Sequence, residues 1–511
     1  MNSNNGRAGK VKKSVFTTLL LQIVTIICGL IAPRLLLETY GSEAYGATTS
    51  IAQFLSYITL LEGGIGSVAR AALYKPLAEG DTKRISLIVN ELKRFFKVLA
   101  FISIGYTMVL ACLFKTLSHI ECYNWLSTFL LVLSMAVSTF GQYFIGISYL
   151  SLIQADQKLY LINRLSIITT IFNTIMVIML IRLKTSLIFV KLVSSAVYLL
   201  KPTAMWLYVN RHYGLIKIIE RDKNALSQRW TGLGQHIAYY IHSNTDVAVL
   251  TILDNLKTVS VYSVYNMISS HIQNFIVALC SGMSSVFGDM YARAEKENLN
   301  RTFEFYETLT SCACTTLFST VYIMILPFIS LYTKGIEDTN YYQPLFGCLI
   351  TLAAEIYCLR LPYQSMISAA GHFKQTRIGA YGEAGINVTI SILLVWKLGL
   401  VGVAIGTIVA IFFRLLYSVL YLKKNILKRS TLIFVRRTAI NIGTTLTICF
   451  ICNFVIKEFE IENYRMWILC AFITVLVSMI ITILFNYIFY KDATSRALKI
   501  TSSKLLRNSE I

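Results

Sequence analysis

Long apolar runs, each about twenty residues and separated by short polar connections, fill this chain almost from end to end. A helix needs roughly 20 mostly apolar residues to cross the hydrocarbon of a bilayer. Stretches of that kind occur near 15–37, 47–69, 95–117, 125–150, 163–183, 187–209, 232–253, 260–287, 309–331, 345–370, 380–397, 399–421, 438–457 and 466–490. Composition points the same way. With 55% apolar and 14% charged residues, too little charge remains to coat a soluble surface, where about 25% is usual. The expected fold is an all-α polytopic membrane protein of about 14 transmembrane helices, with no soluble domain of useful size left over. The first run follows a basic start and lacks a small-residue cleavage site, so it reads as a retained helix and not a signal peptide.

The net charge of +21 could suggest nucleic acid, but the placement of the cations decides otherwise. If the amino terminus is cytoplasmic and the helices alternate, about 35 of the 47 lysines and arginines fall on that side of the membrane. They include Lys10, Lys12 and Lys13, the group from Lys75 to Lys97, the group from Arg211 to Arg229, Lys423 to Arg437, and the tail. This positive-inside asymmetry puts both termini in the cytoplasm. Attraction to anionic lipid headgroups is a secondary consequence, and no nucleic-acid partner is expected. All eleven cysteines except Cys122 sit in apolar runs, so no disulfide framework is implied. Cys312 with Cys314, and Cys449 with Cys452, lack histidines at ligand spacing, so no metal site is expected.

The chain looks doubled. TYGSEAYGATTSI, between the first and second runs, lines up with LKTVSVYSVYNMI between the seventh and eighth, with Ser42 to Tyr45 on Val259 to Tyr262. SLIQADQKLYLINRLSIITTIFNTIMVIML, at the fourth-to-fifth passage, lines up with ISAAGHFKQTRIGAYGEAGINVTISILLVW, placing Asn173 and Asn387 at like depth. The two offsets nearly agree, which argues for two repeats of six helices and a further pair. Six is even, so the copies share one orientation. Such parallel repeats are a transporter signature, with the substrate path between the bundles. The expected organisation is a basic segment 1–14, an N-lobe 15–209, a linker 210–231, a C-lobe 232–421, two further helices over 438–490 and a cytoplasmic tail 491–511.

Several passages, taken in order, carry a resemblance: LLLQIVTIICGLIAPRLLLETYGSEAYG after the basic start, LLEGGIGSV, the QADQ turn, NTDVAVLTILDNLKTVSVYSVYNMI, AAGHFK, and KLGLVGVAIGT with Gly402 and Gly406 four apart for close helix packing. Together they resemble the polysaccharide flippase branch of the multidrug/oligosaccharidyl-lipid/polysaccharide exporter superfamily, over most of the chain. Many relatives carry aspartate where this chain has Glu62. The resemblance implies two pseudo-symmetric six-helix bundles forming a V-shaped cleft, and alternating access in a bacterial cytoplasmic membrane. Its implied cargo is an undecaprenyl-diphosphate-linked oligosaccharide repeat unit for O-antigen (lipopolysaccharide), capsule or exopolysaccharide. A functional monomer among membrane lipids, working beside a polysaccharide polymerase machinery, is implied as well.

A diphosphate and a glycan cannot cross about 30 Å of hydrocarbon unaided, whereas a polyprenyl tail can stay in lipid. Cations in a laterally open cleft suit that cargo, and Arg34, Lys191, Arg360 and Arg414 lie inside apolar runs. Charged residues at such depth usually face an aqueous cavity, although long stems also let Lys191 and Arg414 reach an interface. Glu62, Asp246, Glu355 and Glu383 are the buried carboxylates. Each either neutralises a neighbouring cation or binds a coupling H+ or Na+, with Asp246 the leading candidate. No other cofactor is expected. Glu355 and Arg360 point about 140° apart on one helix, so each should meet a different neighbour. Pro33 and Pro362 read as helix breaks beside Arg34 and Arg360, and Gly63, Gly64 and Gly66 as a cytoplasmic-side hinge next to Glu62. Gln235, His236, His242, His271 and Gln273 could bond sugar hydroxyls, and Tyr239 and Tyr240 could stack on sugars. Tyr262 and Tyr265 read instead as interface anchors.

No enzyme motif of the GxxxxGK[ST], HExxH or GxSxG kinds occurs, and the largest outer loop, near 332–344, is about a dozen residues, too small for a catalytic domain. The competing readings are a cation-coupled multidrug exporter and a peptidoglycan-precursor lipid flippase of the same superfamily.

Overall fold

The computed structural model describes residues 2–62, 65–216, 244–280, 283–456 and 459–490. Among them the regular structure is helical, and twelve helices are long and apolar enough to cross a membrane. One of these, spanning Lys13–Glu62 over 50 residues, is long enough for two crossings, since a single crossing takes roughly 20. It is interrupted at Gly41, whose φ of 84° and ψ of 171° leave the helical region. A side chain is strained there, so glycine marks the break. Asn244–Leu253 is a shorter apolar helix at the described end of the run expected over 232–253. Counting the interrupted span as two and adding this one accounts for all fourteen expected runs. The chain is a multi-pass membrane protein.

In chain order the helices are α1 (Asn2–Ser56), a 3-10 turn (Tyr57–Glu62), α2 (Ile65–Glu79), α3 (Thr82–Ser118), α4 (Trp125–Gly141), a π segment (Gln142–Gly146), α5 (Ile147–Ala155), α6 (Leu159–Arg182), α7 (Leu187–Tyr198) and α8 (Leu200–His212). They continue with α9 (Asn244–Leu253), α10 (Leu256–Cys280), α11 (Met283–Ala292), α12 (Lys296–Tyr332), α13 (Pro344–Ala369), α14 (Phe373–Leu398), α15 (Leu400–Asn425), α16 (Thr431–Ile456) and α17 (Tyr464–Phe489). Several helices overrun their apolar runs, because hydropathy marks the hydrocarbon crossing and not the end of the helix. In water α12 carries on through pairs such as Arg301 to Glu297, 2.6 Å apart at i,i+4 spacing.

Two compact units divide the chain, Met1–Ser260 and Val261–Ile511. In the first, α1 packs on α6, α3 on α4, and α4 on α7. Ser50 and Thr251 share a buried hydroxyl hydrogen bond of 2.7 Å. In the second, α13 packs on α12 and α15, while α16 and α17 pack on α12. The most extensive pairing is α14 on α15. A Cβ placed on Gly406 would lie 2.3 Å from Ser391 Oγ, and one on Gly402 2.6 Å from the Leu394 carbonyl. Only glycine admits that approach, and it lets apolar helices gain dispersion contacts in lipid, as KLGLVGVAIGT suggested.

Neither proline breaks its helix. α1 runs through Pro33 and α13 through Pro362, which corrects the expectation of helix breaks at both. A proline removes one amide donor, and a neighbouring helix can keep the remaining turns in place. Gly63 and Gly64 lie outside the described residues. Before them the chain tightens into the 3-10 turn ending at Glu62, and α2, which contains Gly66, starts at Ile65. Tyr262 and Tyr265 are also corrected. They are 8% and 0% exposed, with the Tyr265 hydroxyl donating to the Tyr341 carbonyl and accepting from the Gln343 amide, each at 2.9 Å. This pair anchors the start of α13, not the membrane interface.

Candidate functional site

The second unit gathers three of the sequence-derived site residues at one point. Glu383 on α14 is 5% exposed. Arg360 on α13 donates to its Oε1, and Arg414 on α15 places Nε 3.7 Å from its Oε2. Arg414 Nη1 also donates to the Thr376 carbonyl at 2.9 Å, and Arg360 lies over the Tyr357 ring at 4.8 Å. A buried guanidinium is tolerated when opposite charge and directed acceptors surround it. Three helices are thereby tied through one carboxylate. Glu355, one turn earlier on α13, faces elsewhere, as its angle from Arg360 requires: its Oε2 accepts from Tyr322 of α12 at 3.0 Å.

A second knot of the same composition escaped the sequence reading. Glu307 on α12, also buried, accepts from Arg429 Nη1 at 2.5 Å and from the Tyr363 hydroxyl, and Arg437 Nη1 lies 2.7 Å from its Oε2. Arg429 and Arg437 read in the sequence as topology charges. The one available signal was Glu307 itself, an acid placed just before the run at 309–331.

In the first unit Arg34 on α1 is 3.8 Å from Glu38 one turn on, so it is held along its own helix. Glu62 accepts from the Tyr143 hydroxyl at 2.7 Å. Tyr143 belongs to the π segment, a distortion often found at functional sites. Asp246 on α9 is buried at 8% exposure. Lys191 on α7 is half-buried, and among the described residues no carboxylate lies within ion-pair distance of it. Lys201, absent from the sequence-based set, is in the same position on α8. It lines a cavity of about 240 Å³ with Gln142, Tyr198, Ser138 and Thr170, where the break between α7 and α8 at Leu199 faces the π segment. A Lys-Pro pair in the middle of an apolar run was its sequence signal.

Asn173 and Asn387, matched by the repeat alignment, are both buried. Each donates to a hydroxyl, of Tyr198 at 3.5 Å and Thr407 at 2.9 Å, while its carbonyl oxygen meets no partner among the described residues. His271 is half-buried, with Nε2 meeting no partner among the described residues, and Gln273, two residues on along the same helix, is half-buried too. Gln235, His236, Tyr239, Tyr240 and His242 lie outside the described residues. Among the described residues no group of three histidine, cysteine or acidic side chains could hold a metal.

The QADQ turn, between the fourth and fifth crossings, is an ionic clasp. Asp156 accepts from the Tyr213 hydroxyl at 2.5 Å and lies 2.7 Å from Lys158 and 3.3 Å from Lys10. Burial pushes the Asp156 carboxyl up, but hydrogen bonds from Lys158 and Tyr213 and the charges of both lysines hold it below its ordinary value. Lys158 is raised for the reciprocal reason: burial opposes its charge, and Asp156 outweighs burial.

Knots of buried charge tie the helices together, and Lys201 faces a partly polar cavity among apolar helices long enough to cross a membrane, which defines a polytopic membrane protein. Comparison with solved structures agrees on the fold. The chain superposes on a lipid II flippase MurJ in an inward closed conformation with a TM-score of 0.68 at 17% identity, covering 93% of this chain and 99% of that one. An inward-facing multidrug resistance MATE family transporter of the MOP superfamily gives 0.58 at 15% identity over 81% of this chain and 99% of that chain. The eukaryotic MATE transporter AtDTX14 gives 0.59 at 14% identity over 83% and 97%. No family model matches the sequence, and no curated protein matches it. The chain therefore has the fold shared by the MurJ flippase and the MATE transporters.

Proposed function

We propose that this protein is a flippase carrying undecaprenyl-diphosphate-linked oligosaccharide repeat units from the cytoplasmic to the outer leaflet of a bacterial cytoplasmic membrane, by alternating access, for surface polysaccharide assembly. The observation that carries the reading is the pair Lys191 and Lys201. Both lie in one membrane-spanning segment without a carboxylate in reach among the described residues, a costly arrangement that an anionic cargo would relieve. Arg34, Arg360 and Arg414 are the further cations of this reading; each already meets a carboxylate, Glu38 or Glu383, with which the cargo's diphosphate would compete, and the lobes are 15–209 and 232–421. Asp246 is the carboxylate that H+ or Na+ occupancy would use to bias the transport cycle. Glu62 and Glu383 hold helices in place, and both termini are cytoplasmic. The protein works as a monomer and hands its cargo to a polymerase, with no catalytic step of its own.

A second reading, a peptidoglycan-precursor flippase, is favoured by the greater coverage against MurJ than against the MATE proteins, which also weighs against a multidrug exporter. Deletion separates these readings. Loss of surface polysaccharide with lipid-linked repeat units stranded inside supports the proposal. Intact surface glycan with either arrested peptidoglycan synthesis or heightened dye sensitivity overturns it. Within the proposal, Arg360→Ala and Arg34→Ala impair export and lysine at either position partly preserves it. Normal export by both alanine variants would remove these arginines from the cargo path.

A further inference from the structure

The cavity beside Lys201, of about 240 Å³, lies within the first unit between α4, the π segment, α6 and α8. Its floor is close-packed, since a Cβ on Gly146 would sit 3.1 Å from Pro202. Of its twelve lining residues only Gln142 and Tyr198 are exposed, and both are polar. A rim facing lipid would leave them without hydrogen bonds, so a mouth on water suits them. The wall offers the Lys201 ammonium, the Gln142 amide and the hydroxyls of Ser138, Ser166, Thr170 and Tyr198, and it contains no carboxylate. Among the described residues the ammonium meets neither an acid nor a hydrogen-bond acceptor. The Tyr198 hydroxyl accepts from Asn173 at 3.5 Å, which leaves its own proton to donate.

One ammonium balances one negative charge. A diphosphate carries two, and seated here it would leave one unmatched in a half-buried wall, which is costly. It would also gain nothing from the Tyr198 ring, whose face packs against apolar groups. A sugar bearing a carboxylate meets both features. Its single charge matches Lys201, its ring hydroxyls match the amide and hydroxyls of the wall, and its C–H face matches the tyrosine ring. Lys191 supports the same reading. It stands ten residues earlier in the same crossing, about 15 Å along the axis at 1.5 Å per residue, farther than one diphosphate reaches. Two unpaired lysines at that separation call for two negative groups on the cargo. We propose that this cavity seats a carboxylate-bearing sugar of the hexuronic acid class, and that the repeat unit is acidic in its glycan as well as in its diphosphate. The proposal rests on the glycolipid reading and narrows its cargo.

The lipid-linked units stranded in a deletion strain are isolated and weighed by mass spectrometry before and after methyl esterification of carboxyl groups. At least one carboxyl per repeat unit is expected. Units whose only acid is the diphosphate overturn the proposal and leave the glycolipid reading standing, whereas the absence of any stranded unit overturns that reading itself. The part played by Lys201 is read in liposomes holding the purified full chain, given either the native unit or the same unit with its carboxyl converted to an amide. Wild type should translocate the native unit about tenfold faster than the amide, as expected for one hydrogen bond between charged groups. Lys201→Met should erase that preference by slowing the native unit, and Lys201→Arg should keep part of it. Lys191→Met should slow both units alike. Equal rates for the two units in wild type overturn the proposal, as does a folded Lys201→Met chain that slows both units equally, because its lysine then meets the diphosphate. Should Lys201→Met not fold, the composition of the stranded unit and the wild-type preference decide.

Discussion

Replacing Glu307 by leucine tests how far the buried knots hold the second unit together. The side chains of Glu307 and Arg437 are 4% and 6% exposed, and that of Arg429 is 19% exposed. Little solvent screens the first two, whereas Arg429 sits at the edge and can swing outward. Without Glu307, Arg437 is left buried with no opposing charge, and breaking a buried pair by removing one partner costs about 3–5 kcal/mol. Tyr363 loses its acceptor too, adding about 1 kcal/mol. For a unit of 251 residues (261 to 511), at about 2–4 °C per kcal/mol, the midpoint should fall by on the order of 10 °C. The chain carries its own reporter: Cys280, Cys314, Cys358, Cys452 and Cys470 are its buried cysteines, and all lie in this unit. A thiol-reactive fluorogenic dye therefore follows the second unit's melting in detergent. Leucine at 307 combined with Arg437→Met should recover most of the loss, because an apolar replacement of the whole pair leaves no orphan charge. A Glu307→Leu variant that melts with wild type, or a double variant no better than the single, would refute the reasoning.

Three further outcomes are expected. Gly406→Val should lower the melting midpoint more than Gly443→Val, since a Cβ at 406 would sit 2.3 Å from Ser391 and one at 443 meets nothing within 4 Å; overpacking of this kind costs about 1–3 kcal/mol. Asp156→Asn should destabilise the first unit by about 1–2 kcal/mol at neutral pH. Because the folded carboxyl sits below its ordinary value of 3.8, its contribution is complete above that value and disappears as pH falls through the folded one. Melting curves of wild type and Asp156→Asn should therefore stay fully separated above pH 3.8 and converge only as the pH falls below it through the lower folded value, and a gap that persists once the carboxyl is protonated would exclude the carboxylate as its source. Cys122, whose thiol is pushed up to about 12 by partial desolvation and by the Glu43 charge, should alkylate slowly at pH 7.5 although the residue reaches the surface. Glu43→Gln should speed that reaction, as peptide-resolved mass spectrometry would show.

The angle between Glu355 and Arg360 was readable along a single helix, and the structure turns them to different partners, Tyr322 and Glu383. The partners themselves were not readable. Glu383 and Arg360 are 23 residues apart on separate helices, and Glu307 meets Arg429 across 122 positions; helical periodicity carries no record of which helix lies opposite. The same gap explains Pro33 and Pro362. Read alone, each proline removes a donor from its own ladder, and only a packed neighbour shows that the turns persist. Tyr265 was misread because tyrosine at the end of an apolar run is compatible with a headgroup belt or a buried hydrogen bond, and Tyr341 and Gln343 decided between them.

The sequence by itself determined the membrane crossings, since the thickness of hydrocarbon dictates how many consecutive apolar residues each needs, and it placed glycines at 402 and 406 where two helices touch. Tertiary structure alone decided which buried charges neutralise one another, and that Lys191 and Lys201 keep no carboxylate in reach among the described residues. Burial within a helix is a local property of hydropathy, whereas the energy of a charge in hydrocarbon depends on whatever other helices bring within a few ångströms of it.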